Sequence, residues 1–125
     1  MMFTKHFTPD DANKRLPYLK RIVSEIIIKG KELRHIAEEY KDRELPEKFE
    51  ILTFEIEALM KELEALGCFY KDWNFEIGLV DFPAVIDGNE VFLCWRSDET
   101  SIQWFHSIDE GYAGRRSITQ KLPQN

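Results

Sequence analysis

Cysteine is scarce in this chain of 125 residues: Cys68 and Cys94 are the two. Their spacing fits no zinc motif, and two thiols in a reducing compartment read as small hydrophobes rather than as a structural disulfide. Long apolar runs are missing as well. The longest aliphatic run is Ile26-Ile27-Ile28, against the roughly 20 residues that span a bilayer. Residues 1–17 hold no apolar h-region, so no secretory signal is expected. The expectation is a cytoplasmic protein of bacterial type, away from membranes. Positive charge is in deficit, with 17 Lys and Arg against 23 Asp and Glu and a net charge of −6. That balance excludes broad nucleic-acid binding, which needs clustered positive charge. Repeats and low-complexity segments are absent.

What is present is a foldable mixture, 43% hydrophobic and 32% charged, of a length suited to one domain over residues 1–125. Three stretches divide it: a helical hairpin over 8–67, an antiparallel β-meander over 68–106, and a Gly/Arg loop with a tail over 107–125 whose end, Gln120 to Asn125, is expected to fray. The fold class is α+β, a long antiparallel αα-hairpin followed by a small sheet of three to four strands.

Thr8-Pro9-Asp10-Asp11 reads as a helix start, with Thr8 as N-cap, Pro9 at the first position and acids in the first turn. From Leu16 the apolar positions Leu16, Leu19, Val23, Ile26, Leu33, Ala37 and Tyr40, with Gly30 filling one place, step by three and four as a coiled-coil seam. Pro17 lacks an N–H, so a kink is expected there, or a short helix before a long one. After Leu45-Pro46 a second seam runs Phe49, Leu52, Ile56, Leu59, Leu63 and Leu66, with Gly67 placed to end the helix in the left-handed conformation. Each helix carries apolar residues off its seam: Ile22, Ile27 and Ile36 on the first, Ile51, Phe54, Ala58 and Ala65 on the second. A second stripe needs a second neighbour. A helix from Pro17 to Asp42 is roughly 39 Å long at ~1.5 Å per residue, and a six-residue strand roughly 20 Å. The remaining stripe needs either a partner chain, most simply in a homodimer, or a sheet laid lengthwise along the hairpin.

In the meander, Asp87-Gly88 signals a two-residue hairpin. It pairs Ile86 with Asn89, Ala84 with Val91, Phe82 with Leu93 and Val80 with Trp95. A second turn centred on Asp98-Glu99 would pair Trp95 with Ile102 and Leu93 with Trp104. Residues 68–72 add a short edge strand. One face becomes apolar, laid on the hairpin. The other carries Asp81, Pro83, Phe92, Cys94, Arg96, Ser101, Gln103 and Phe105. There Arg96 is diagonal to Asp81 and within reach of it, so that face is either a polar pocket framed by aromatics or a solvated surface with an Asp81–Arg96 ion pair worth under about 1 kcal/mol.

His106 falls opposite Val91, on the core side and away from Cys94. A metal site needs three or four convergent ligands, so no metal is expected, and no base reaches Cys94 to make it a nucleophile. His6 and His35 fall on helical surfaces. The loop Gly111-Tyr112-Ala113-Gly114-Arg115-Arg116 joins two glycines to two arginines and is expected to contact an anion, although Asp109, Glu110 or Asp81 could answer those arginines instead.

Phe7-Thr8, Ala12-Asn13 and Leu16-Pro17, then Gly78-Leu-Val-Asp-Phe-Pro-Ala84, Asp87-Gly88, Leu93-Cys-Trp-Arg96, Trp104-Phe-His106 and Gly111-Tyr-Ala-Gly-Arg115 together resemble a bacterial family known as a domain of unknown function, DUF2203-like. The family pattern sets Trp directly before His, and Phe105 stands between them here. The resemblance implies a shared fold over nearly the whole chain and no activity. It marks Asp81, Arg96, Glu99, His106 and Arg115 as the family's polar positions; with Arg116 they make the candidate binding cluster. The functional expectation is a non-enzymatic, self-associating interaction or ligand-binding module, without a cofactor, whose partner is a small anion or a protein. The alternative is a small hydrolase or lyase on an anionic substrate, with Asp81 or His106 as general base and Arg96 or Arg115 clamping the anion.

Overall fold

The first helix, α1 (Pro9–Glu39), begins as its sequence dictates. The Asp11 N–H donates to Thr8 Oγ1 at 3.1 Å, Pro9 takes the first turn where no N–H is needed, and Asp10 and Asp11 sit at the positive end of the helix dipole. The protein is described from a computed structural model over residues 1–118, so the expected fraying of Gln120 to Asn125 lies outside the described residues. Pro17 does not divide α1 into two helices, which corrects that alternative. Its ring lies on the exposed side while Ala12, Leu16 and Leu19 are buried around it, and their packing offsets the lost hydrogen bond, a cost of about 3 kcal/mol.

After a loop, α2 (Glu47–Leu66) runs back along α1. Tyr18 meets Glu62, Lys29 meets Glu55 and Glu32 meets Lys48, so the order is antiparallel. Gly67 ends α2 at φ 98°, and the Cys68 N–H returns to the Leu63 carbonyl at 3.1 Å. The expected seams are buried from Leu16 to Gly30 and from Leu52 to Leu63. Beyond Gly30 the seam is no longer buried: Ala37 is exposed, and Ile36, of the second stripe, is buried instead. Ile22 and Ile36 of the second stripe are covered by the chain itself, whereas Ile51 and Phe54 on α2 stay 49% and 67% exposed.

Five antiparallel strands follow in spatial order: β1 (Phe69–Tyr70), β2 (Leu79–Ile86), β3 (Asn89–Arg96), β4 (Trp104–Ser107) and β5 (Arg116–Ser117). The sheet exceeds the expected three to four strands because a 3-10 turn at Tyr112–Gly114 folds Arg116–Ser117 back onto β4. The β2–β3 register is the expected one, from Val80 opposite Trp95 to Ile86 opposite Asn89. Asp87 and Gly88, at φ 53° and 80°, supply the two left-handed residues of the hairpin turn. Val80, Phe82, Ala84, Val91, Leu93 and Trp95 pack on Leu16, Leu19, Val23 and Ile26 of α1, each large side chain adding roughly 1.5–3 kcal/mol on burial.

The β3–β4 register differs by one residue from the expectation. Cys94 lies opposite Trp104, Leu93 opposite Phe105 and Phe92 opposite His106. The cause is Ile102. Its N–H donates to Asn13 Oδ1 at 2.7 Å, and its carbonyl accepts from Asn13 Nδ2 at 3.4 Å. Ile102 is thereby held by α1 rather than paired to Trp95, and the connection between the third and fourth strands runs over residues 97–103. Phe105 turns to the core, while Trp104 and His106 turn to the outer face. That face is also covered. The ring of Phe3 packs on Phe69 and Phe92 at 5.5 and 5.3 Å. The Glu90 carboxylate accepts from the N–H groups of Met2 and Phe3 at 2.7 and 2.9 Å, with His6 Nε2 at 2.8 Å. Among the described residues no helix is long and apolar enough to cross a membrane.

Candidate functional site

The shifted register brings Asp81 from β2, Cys94 from β3 and His106 from β4 to one spot on the outer face. Asp81 and Cys94 are directly opposite each other, and His106 is diagonal to Cys94. All three are buried, and their donor atoms lie within 4.8 Å of one another. This overturns the expectation that His106 faces the core and cannot meet Cys94, and with it the argument against convergent ligands. Carboxylate oxygen, thiol sulfur and imidazole nitrogen are the donor types that bind divalent transition ions.

His106 Nε2 faces Asp81 Oδ1 at 3.2 Å, and Nδ1 faces the carbonyl oxygen of Ser107 at 2.8 Å. A carbonyl and a carboxylate both accept, so both ring nitrogens donate and the ring is an imidazolium. Burial alone would depress its pKa. The hydrogen bonds to Asp81, Cys94 and the Ser107 carbonyl outweigh it and raise the pKa to about 10. Above the three lies a recess of about 330 Å³, walled by Lys71, Leu79, Phe92, Ile108 and the 110–112 segment. Its rim holds one cation and one acid, Lys71 and Glu110; the ammonium of Lys71 sits 5.5 Å from the centre of the Phe92 ring.

The arginines of the candidate cluster are engaged elsewhere. The expected Asp81–Arg96 pair does not form. Arg96 Nε donates to Asp98 Oδ1 at 2.6 Å, and its Nη1 donates to the Tyr112 hydroxyl. The neighbouring acid wins because it is two residues away, whereas His106 occupies Asp81. Arg115 donates to Glu99 Oε1 at 2.8 Å and to the Cys94 carbonyl at 3.1 Å, stacked between the rings of Trp104 and Tyr112 at 5.1 and 4.8 Å. Glu99 also accepts from the Arg96 N–H at 2.7 Å. Arg116 stands 3.6 Å from Glu110 on the surface. Asp81 and His106 of the cluster therefore meet in the recess; Arg96, Glu99 and Arg115 brace the strand end beside it, and Arg116 is apart. Cys94, Lys71 and Tyr112 were outside the expected cluster. Cys94 shared a row with Asp81 in the hairpin register, and that was the signal available for it.

Residues 5–118 match the family model described as an uncharacterised conserved protein, DUF2203. No curated protein matches the chain, and no solved structure matches it.

Proposed function

We propose, from the premise that the chain belongs to the DUF2203 family, that it is a small non-enzymatic binding module whose ligand site is the recess over Asp81, Cys94 and His106. One observation carries this reading: three buried polar side chains from successive strands close the floor of a cavity of about 330 Å³. Buried polar groups are costly unless satisfied, and pockets with few convergent polar groups are the common form of a small-ligand site. A small anion suits the imidazolium on the floor and the Lys71 ammonium at the rim. The hydrolase or lyase alternative loses its anion clamp, since Arg96 and Arg115 already have carboxylate partners, and its base, since Asp81 is held by His106.

Titration of the protein with inorganic phosphate and with acetate, followed on the His106 ring by NMR, tests the reading. A saturable shift that Lys71→Ala weakens supports it. A shift absent in the wild type, or indifferent to Lys71→Ala, overturns it, and turnover of a phosphate or carboxylate ester that depends on Asp81 would favour the enzyme.

Self-association belongs to the same proposal. Ile51 and Phe54 are three residues apart on the outer side of α2 and lie open, which supports a homodimer through the helices. Light scattering at micromolar concentration checks it: a dimer that Phe54→Glu converts to monomer supports it, and a wild-type monomer overturns it. Two free thiols fit a reducing, cytoplasmic setting.

A further inference from the structure

We propose that Asp81, Cys94 and His106 are the protein ligands of a single four-coordinate divalent ion of the zinc class, with the fourth position open to the recess. This deepens the reading of the recess as a binding site and rests on it.

The argument is geometric. Two ligands about 2.0 Å from a tetrahedral ion stand about 3.3 Å apart; His106 Nε2 and Asp81 Oδ1 stand 3.2 Å apart, and Cys94 Sγ is within 4.8 Å of both. Three neighbouring strands present the donors, so the ladder fixes their spacing. His106 is also oriented as a ligand. Its Nδ1 donates to the Ser107 carbonyl, the usual support of a metal-bound imidazole; a bound ion would displace the proton that Nε2 shares with Asp81 and release it to solvent. The main chain at Cys94 is fixed in turn by Arg115, itself held by Glu99.

A nucleophilic cysteine fits less well. A Cys–His–Asp relay sets thiol and carboxylate on opposite ring nitrogens. Here Nδ1 is taken by a main-chain carbonyl, and the carboxylate lies on Nε2, the nitrogen a thiol would need. Three protein ligands with an open position facing a cavity is the pattern of ions that also hold an exogenous ligand, which here would be the oxygen of a small anion.

The test uses the full chain, reduced and stripped of metal, titrated with Co²⁺ and then Zn²⁺. The expected result is one-to-one binding with the visible bands of tetrahedral cobalt and a near-ultraviolet thiolate-to-cobalt band, displaced by zinc. Cys94→Ser should remove the thiolate band, His106→Gln should weaken binding at least 10-fold to 100-fold, and Cys68→Ser should leave both unchanged. Absence of a thiolate band in the wild type, or its survival in Cys94→Ser, overturns the proposal. Should Cys94→Ser fail to fold, X-ray absorption of the zinc-loaded wild type decides: one sulfur with nitrogen and oxygen ligands supports the site, and a sphere without sulfur overturns it. Phosphate binding to the stripped protein reads the recess separately. A phosphate response without metal binding overturns this inference alone; metal binding without a phosphate response at the recess overturns the anion reading alone.

Discussion

The ring of Phe75 occupies the notch that Gly30 leaves in α1: a Cβ at Gly30 would stand 2.1 Å from Phe75 Cγ and 2.6 Å from its Cβ. Phe75 is buried, stacks on Tyr70 at 6.3 Å between ring centres, and holds a left-handed φ of 58°. Such a conformation costs an aromatic residue about 1–3 kcal/mol, and the seat in α1 offsets it. Gly30→Ala would gain up to about 1 kcal/mol in helix propensity, but the clash reaches the near end of the Phe75 side chain, where little can yield. Overpacking of that kind costs about 1–3 kcal/mol. The net expectation is destabilisation, read by urea unfolding; a more stable Gly30→Ala protein would show that the seat is loose.

Arg115 and Arg116 should separate sharply on substitution. The Arg115–Glu99 pair is mostly buried, with side chains 10% and 17% exposed, and it braces the strand at Cys94. Arg115→Ala should cost about 1–3 kcal/mol. Arg116, 62% exposed beside Glu110, should cost under about 0.5 kcal/mol. Chemical denaturation of the two single variants gives the order, and equal losses would mean that Arg115 is not the brace.

Stability should fall with rising pH in the alkaline range. His106 keeps its proton in the folded state up to about 10, against an ordinary value of 6.5. Between those values the native state holds a proton that the unfolded state has released, so the contribution is complete below about 6.5 and lost as pH rises through about 10. In chelator, the wild type should lose stability from about pH 7 to 9, below the range where the buried Cys68 thiol adds a slope of the same sign, and His106→Gln should remove that slope. A flat wild-type profile would mean that the imidazolium is not the native form.

The two thiols should differ in reactivity. Burial pushes Cys68 up to about 12, and its Sγ donates to the Leu63 carbonyl at 3.4 Å. Cys94 lines the recess. Native-state alkylation followed by peptide mass spectrometry should find Cys94 modified first, and zinc should slow it. Modification of Cys68 ahead of Cys94 would contradict this order.

How far the sequence disclosed this arrangement depended on which turn was being read. Asp87-Gly88 demands two left-handed residues, and one turn geometry satisfies that, so the β2–β3 ladder followed residue by residue. The next connection holds Ser97, Asp98, Glu99 and Thr100, which favour a turn without choosing one. Trp104 and Phe105 are both aromatic, so alternation could seat either in the core. The deciding contact, Asn13 on Ile102, spans 89 positions. Nothing local encodes it, and with it went the placement of His106 beside Cys94. The helix caps at Thr8 and Gly67 were legible because a cap is set by its own few residues.

Asp81, Cys94 and His106 each stand on a strand hydrogen-bonded to its neighbour, whereas the wall at 110–112 hangs between β4 and β5 with its 3-10 turn. The floor is thus fixed by the ladder, and the wall is the part free to differ. On the proposed reading, variants of Ile108 or Gly111 would change which molecule is admitted while leaving the donor atoms in place, whereas Tyr112, bonded to Arg96 and packed on Arg115, also steadies the brace behind Cys94. On that reading selectivity would rest on the loop and ligand binding on the strands, with Tyr112 as the residue that serves both.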